Sequence, residues 1–198
     1  MTTNAGTMDL LETAVSQMGA VVARVRPEQG SQPTPCSDWD VRDVITHTIG
    51  HSMPNFTVAA KGGTPDWQAA AAPVPDDWAG AFSAAADGLL AAWRAADMDQ
   101  MVAGAGGQAP LRARADQQIA ELAMHSWDLA RATAQDTRLD PALAEHALNW
   151  SRPMLKPEYR GPARGFGAEV PVPPDAPAYD RLAGWFGRDP AWQPPGNR

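Results

Sequence analysis

The chain carries few cations, no long apolar run and only one cysteine. Its 198 residues hold 16 Lys and Arg against 23 Asp and Glu, a net charge of −7, and the cations are scattered without a stripe. Binding of nucleic-acid phosphates needs clustered cations, so no nucleic acid is expected as a partner. No stretch approaches the roughly 20 apolar residues that cross a bilayer. The opening MTTNAGTMDLLETAV has neither a basic leader nor a signal core. A cytoplasmic protein with no membrane partner is expected. The single Cys36 excludes an internal disulfide and any paired-cysteine metal site. It is either a reactive thiol or a small residue near a helix start. Internal repeats, a Gly-rich phosphate loop, a Ser/His/Asp set and the HExxH zinc motif are all missing as well.

What is present is helical periodicity. Residues 8–25 repeat apolar positions at Leu10, Leu11, Val15, Met18, Val21 and Val22 before Pro27 and a polar run. A second helix starts near CSDWDVRDV, where Ser37 and Asp40 have a capping shape. It buries Val41, Val44, Ile45, Thr48 and Ile49, with Pro54 as a kink point. A third helix spans about 76–97, and GAGGQAP reads as a turn with short extended pieces beside it. A fourth helix covers about 112–134, and Asp140-Pro141 opens a fifth. The Pro- and Gly-rich stretch 156–177 reads as irregular, followed by a short helix at about 178–187. The fold class is all-α: one domain over 1–198, a four-helix bundle at about 8–155 with an extra helix, and a C-terminal extension at about 156–192.

The informative stretch is AELAMHSWDLARAT, residues 120–133. Glu121, His125, Asp128 and Ala132 share one stripe of a helix, bordered by Leu122, Met124 and Leu129. A carboxylate and an imidazole at i, i+4 can reach one metal ion, although such pairs also arise on solvated faces. VITHTIGHSM adds His47 and His51 at i, i+4 on another helix. Bundles build metal sites from inward side chains on facing helices. Asp128 reads either as an acceptor that orients a ligand histidine or an arginine, or as an ion pair with Arg131. Trp127 reads as packing, and His146 as a histidine at the edge of an apolar stripe with little claim to be a ligand.

Three separated elements carry a family resemblance. TPCSDWDVRDVITHTIGH resembles a TPC-x-x-W-x-VRD helix start that leads to a ligand histidine. ELAMHSWDLARAT resembles an E-L-x-x-H-x-W-D-L-A-x-A-T element, and FGRDPAW resembles a G-R-D-P ending. Together, over about residues 8–192, the chain is similar to the mycothiol-dependent maleylpyruvate isomerase family. That family lies within the DinB-like (YfiT-like) metal-binding superfamily, and the closest likeness is to members of unassigned activity. The resemblance implies an up-down-down-up bundle with three metal ligands, His47, Glu121 and His125. It implies zinc first, with nickel, manganese or iron as other ions that the donor set accepts. It also implies mycothiol or a related low-molecular-weight thiol as co-substrate. Family members often have a small residue at the place of His51, which here is a fourth ligand, a general base, a pocket wall or an ordinary hydrogen-bonded histidine. Arg188 and Asp189 fall in the G-R-D-P element and read as a clasp for the C-terminal segment.

The functional expectation is a divalent-metal-binding protein that uses a thiol for transfer or isomerisation of a small electrophilic substrate. Two other classes share the same ligands: a non-catalytic metal-binding bundle acting as sensor or partner-binding module, and a metal-dependent hydrolase. A homodimer is the commonest assembly for a protein of this kind.

Overall fold

The computed structural model describes residues 4–104, 107–135, 138–161 and 166–195. Its helices are α1 (Asn4–Val22), α2 (Val41–His47), α3 (Met53–Ala60), α4 (Trp78–Ala95), α5 (Arg112–Ala132), α6 (Pro141–Met154) and α7 (Ala178–Trp185). A π turn over Thr48–Ser52 joins α2 to α3, so 41–60 is one continuous helical rod. The extended pieces expected around GAGGQAP are β1 (Met101–Gly104) and β2 (Gly107–Pro110), an antiparallel pair, with 105 and 106 outside the described residues. Residues 162–165 of the irregular stretch also lie outside them.

The helix starts follow local chemistry. Asp77 and Asp140 cap α4 and α6 by accepting from backbone N–H groups two or three residues on, and Pro141 occupies the first turn of α6. The expected cap at Ser37 is displaced. Asp40 caps α2 through Asp43 N–H, and the Asp43 carboxylate accepts from Asp40 N–H, a box one turn later than the S-x-x-D reading. Ser37 is left exposed because Thr34 already cinches the loop before it. The Thr34 hydroxyl accepts from Cys36 N–H and donates to Trp39 O at 2.8 Å.

Helix α5 is the centre of the bundle. It packs against α1 on one side and α6 on another, and α2, α3 and α7 reach its remaining surface. From Leu122 to Ala130 every side chain is buried. Its apolar members Leu122, Met124, Trp127 and Leu129 join Leu11 and Met18 of α1, Ile45 of α2 and Leu148 of α6 in one core. Trp93 of α4 closes the layer by donating its indole N–H to Gln118 Oε1 at 2.8 Å.

The C-terminal segment is fastened to this bundle. Tyr179 accepts from Gln17, Trp185 donates to Ser151, and Arg181 pairs with Glu145. Gly184 leaves no room for a Cβ against Val170 and Val172, which lets that irregular strand lie on α7. No helix among the described residues is long and apolar enough to cross a membrane.

Leu129 is fully buried at the middle of the core, whereas Met154 is 53% exposed. Leu129→Ala should therefore cost about 2–5 kcal/mol, and Met154→Ala should stay within about 0.5 kcal/mol. Urea unfolding followed by circular dichroism measures both.

Candidate metal centre

The site is assembled from α2, the π turn and the inward face of α5. His47 ends α2, and its Nε2 lies 3.6 Å from Glu121 Oε2. Ser52 donates to the same oxygen at 2.7 Å. In a regular helix residues 47 and 52 would diverge by about 140° at 100° per residue. The widened π turn between them lets both reach one carboxylate oxygen. The His125 ring lies 5.3 Å from that of His47, edge-on. Trp39 covers the two imidazoles, 4.6 Å from His47 and 5.7 Å from His125. The Thr34 cinch fixes Trp39 in place.

His125 is held from behind. Its Nδ1 lies 3.0 Å from Asp128 Oδ2, one turn along α5. Asp128 is fully buried and also accepts from Arg188 Nε and Nη2, at 3.4 and 3.3 Å. Arg188 is itself 4% exposed and donates to Phe186 O. The clasp expected of Arg188 thus closes on Asp128. The ion pair of Asp128 with Arg131 is not formed, because Arg131 lies over Trp127 and turns to Asp180 and Pro190 O.

Electrostatics set the protonation states. Burial works against the Glu121 charge, but hydrogen bonds from His47 and Ser52 and the charge of the two histidines hold its carboxyl below the ordinary range. Burial pushes the His125 imidazole down, against the pull of Asp128. A neutral His125 that donates Nδ1–H to Asp128 keeps the Nε2 lone pair available. Burial raises the Asp128 carboxyl, yet Arg188 and His125 outweigh it and keep it low. Cys36 feels the charges of Arg188 and Asp128, but burial dominates and pushes its thiol up to about 11. A thiol so protonated is not a nucleophile, so Cys36 is a structural residue.

His47, Glu121 and His125 therefore share one end of the bundle. His51 sits beside them, 5.6 Å from His47 and 6.3 Å from Trp67 by ring centroids. His146 is elsewhere, bonded to Asp116 at 2.9 Å between α5 and α6. Among the described residues no three His, Cys, Asp or Glu side chains converge on one point at ligand distance. The pairs are close, but the Glu121 oxygen nearest His47 is engaged by Ser52. Ser52, Trp39, Trp67 and Gln117 were not legible as site residues. Ser52 falls off the α-helical stripe, and Trp39 and Trp67 come from loops. Gln117, one turn before Glu121, looks like an ordinary surface amide.

Asp128→Asn would leave Arg188 buried without a counter-charge, at a cost of about 3–5 kcal/mol. The sign with pH follows from its low carboxyl: the wild-type contribution is present above the unfolded carboxyl value, about 3.9, and is lost as pH falls through the lower folded one. The difference between wild type and variant in urea unfolding should therefore shrink in acid and be constant near neutrality.

Comparison with known proteins places this arrangement. The family described as mycothiol maleylpyruvate isomerase N-terminal domain matches residues 11–130. Two proteins of Mycobacterium tuberculosis, "Uncharacterized protein Rv0738" of strain ATCC 25618 / H37Rv and "Uncharacterized protein MT0763" of strain CDC 1551 / Oshkosh, are each 34% identical over 189 residues. The match covers 89% of this chain and 94% of theirs. The crystal structure of the mycothiol-dependent maleylpyruvate isomerase superposes with a TM-score of 0.58 at 17% identity, covering 73% of this chain and 67% of that one. A point mutant of that enzyme gives the same score at 15% identity. At that identity the likeness is one of fold, a DinB-like helical bundle. On its matched residues and its motifs, the chain belongs to the mycothiol maleylpyruvate isomerase N-terminal domain family.

Proposed function

We propose that this protein is a divalent-metal-dependent, thiol-using transferase or isomerase that acts on a small electrophilic substrate. The observation that carries the reading is the meeting of His47, Glu121 and His125 at one end of the bundle, with His125 oriented by a buried Asp128. The donor set fits a divalent ion. It offers two imidazoles, of which burial keeps His125 neutral, and a carboxylate kept ionised. His47, Glu121 and His125 would hold the ion, and Asp128 would fix the His125 tautomer. Bound there, the ion supplies a Lewis acid that lowers the pKa of a coordinated thiol.

The protein's own groups supply the rest. Trp39 walls the imidazoles from solvent on one side. The Ser52 hydroxyl orients the Glu121 carboxylate. No hydrogen bond among the described residues engages the His51 ring, which leaves it able to take or return the thiol proton at the mouth. Mycothiol is the thiol that family membership favours, with the isomerase named in that family as the nearest precedent for the chemistry.

The absence of a three-ligand convergence favours one other reading, a bundle that keeps these residues as polar packing and carries no catalysis. Elemental mass spectrometry separates the two. About one zinc, nickel or manganese per chain is expected after reconstitution. His125→Ala should lose it, and Asp128→Asn should weaken binding about 10–100-fold. In the cobalt-substituted protein a low-molecular-weight thiol should shift the visible spectrum. A chain that takes up no metal under any of these conditions would sink the reading.

A further inference from the structure

Six side chains close a ring around the opening beside the His47–Glu121 pair. His47 meets His51 at 5.6 Å and His51 meets Trp67 at 6.3 Å between ring centroids. The Arg114 guanidinium lies 5.9 Å from the Trp67 ring. Arg114 Nη1 donates to Gln117 Oε1 at 2.9 Å, and Gln117 Nε2 donates to Glu121 Oε1 at 3.4 Å. Glu121 Oε2 returns to His47 Nε2 at 3.6 Å, which completes the circuit. Three separate parts of the chain contribute: the rod 41–60, the loop that carries Trp67, and the first half of α5.

Two of these six carry charges fixed at neutral pH. Glu121 faces His47 and Ser52. Arg114, at the opposite end, has no carboxylate within ion-pair distance among the described residues. By contrast Arg112, Arg131, Arg181 and Arg188 each have one. Nor does helix stability account for Arg114. It stands in the first turn of α5, where the helix dipole disfavours a cation. It is only half-exposed, with an indole on one side and an amide oxygen on one nitrogen. That leaves guanidinium N–H groups for a planar anion, the geometry that matches a carboxylate in a bidentate pair. The apolar face of Trp67 lies between this cation and His51, where a carbon skeleton would rest.

We propose that Arg114, supported by Trp67 and Gln117, is an anion subsite that takes a carboxylate of the electrophilic substrate. The site then selects acids over neutral electrophiles of the same shape. The assignment of the carboxylate to the substrate rests on the reading of His47, Glu121 and His125 as the reaction centre. The subsite itself does not need a bound metal.

Succinate and its neutral counterpart succinamide are the probes, titrated into chelator-treated protein and followed by 1H–15N NMR. Succinate should shift the Trp67 indole N–H and Arg114 Nε–H resonances to saturation, and succinamide should not. Arg114→Gln should weaken succinate about tenfold or more, the scale of a lost charge-assisted hydrogen bond, and Arg114→Lys should lie between. N-acetylcysteine forms a third arm. The proposal is overturned if succinate does not saturate, if succinamide binds as well, or if Arg114→Gln is unchanged. Arg114-dependent binding of N-acetylcysteine without succinate would give the subsite to the thiol, and that too overturns the assignment. A failure of the metal reading appears in metal content and leaves these titrations legible. Should Arg114→Gln not fold, the lysine variant and the two neutral-versus-charged probes still decide.

Discussion

The Asp128 carboxylate is the constraint on which this structure turns. An isolated charge buried in a bundle core is prohibitively costly, so its partners are obligatory. Asp128 has two of them from different parts of the chain: His125 one turn earlier in α5, and Arg188 from the segment after α7. One side orients an imidazole at the site. The other holds the C-terminal segment against the bundle. The same atoms therefore make site geometry and segment docking two readings of one interaction. Loss of either partner leaves the other with a buried, half-satisfied charge.

The polar line on α5 also explains why that helix is wrapped so completely. Gln118, His125, Ser126 and Asp128 are all buried, and polar groups of this kind add little to stability when satisfied and subtract much when not. The surrounding apolar burial must carry the fold. Ser126 bonds Leu122 O in its own helix, Gln118 takes the Trp93 indole, and Leu122, Met124, Trp127 and Leu129 fill the space between. A site of this kind is rigid because each ligand candidate is set by a neighbour that has no alternative rotamer partner.

Much of this was written in the sequence, and the residues show why. The stripe of Glu121, His125 and Asp128 follows from α-helical spacing alone, as does the buried face Val41, Val44, Ile45, Thr48 and Ile49. The Pro and Asp signals marked the start of α6. Spacing along one helix cannot say which distant cation meets a buried carboxylate. Arg131 is the near neighbour of Asp128 in sequence, but Arg188 is the one whose chain path returns to it. Nor does an S-x-x-D pattern tell which of two acids caps. Asp40 wins because Asp43 can reciprocate and Thr34 has already closed the preceding loop.

The π turn shows how one local irregularity can decide what the site contains. Pro54 has no N–H to give to Gly50 O four residues back, so a regular helix cannot continue through this point with all its bonds. Gly50 O instead accepts from Ala72 N–H at 2.9 Å, and the absence of a Cβ at Gly50 is what lets the Ala72 backbone come so near. That bond draws the loop 61–77 onto the rod and seats Trp67 against Phe56 and His51. The same widened turn rotates Ser52 towards Glu121. A proline read from the sequence as a kink thus acts by freeing a carbonyl. The freed carbonyl recruits a loop, and the loop supplies the wall of the site opposite Trp39.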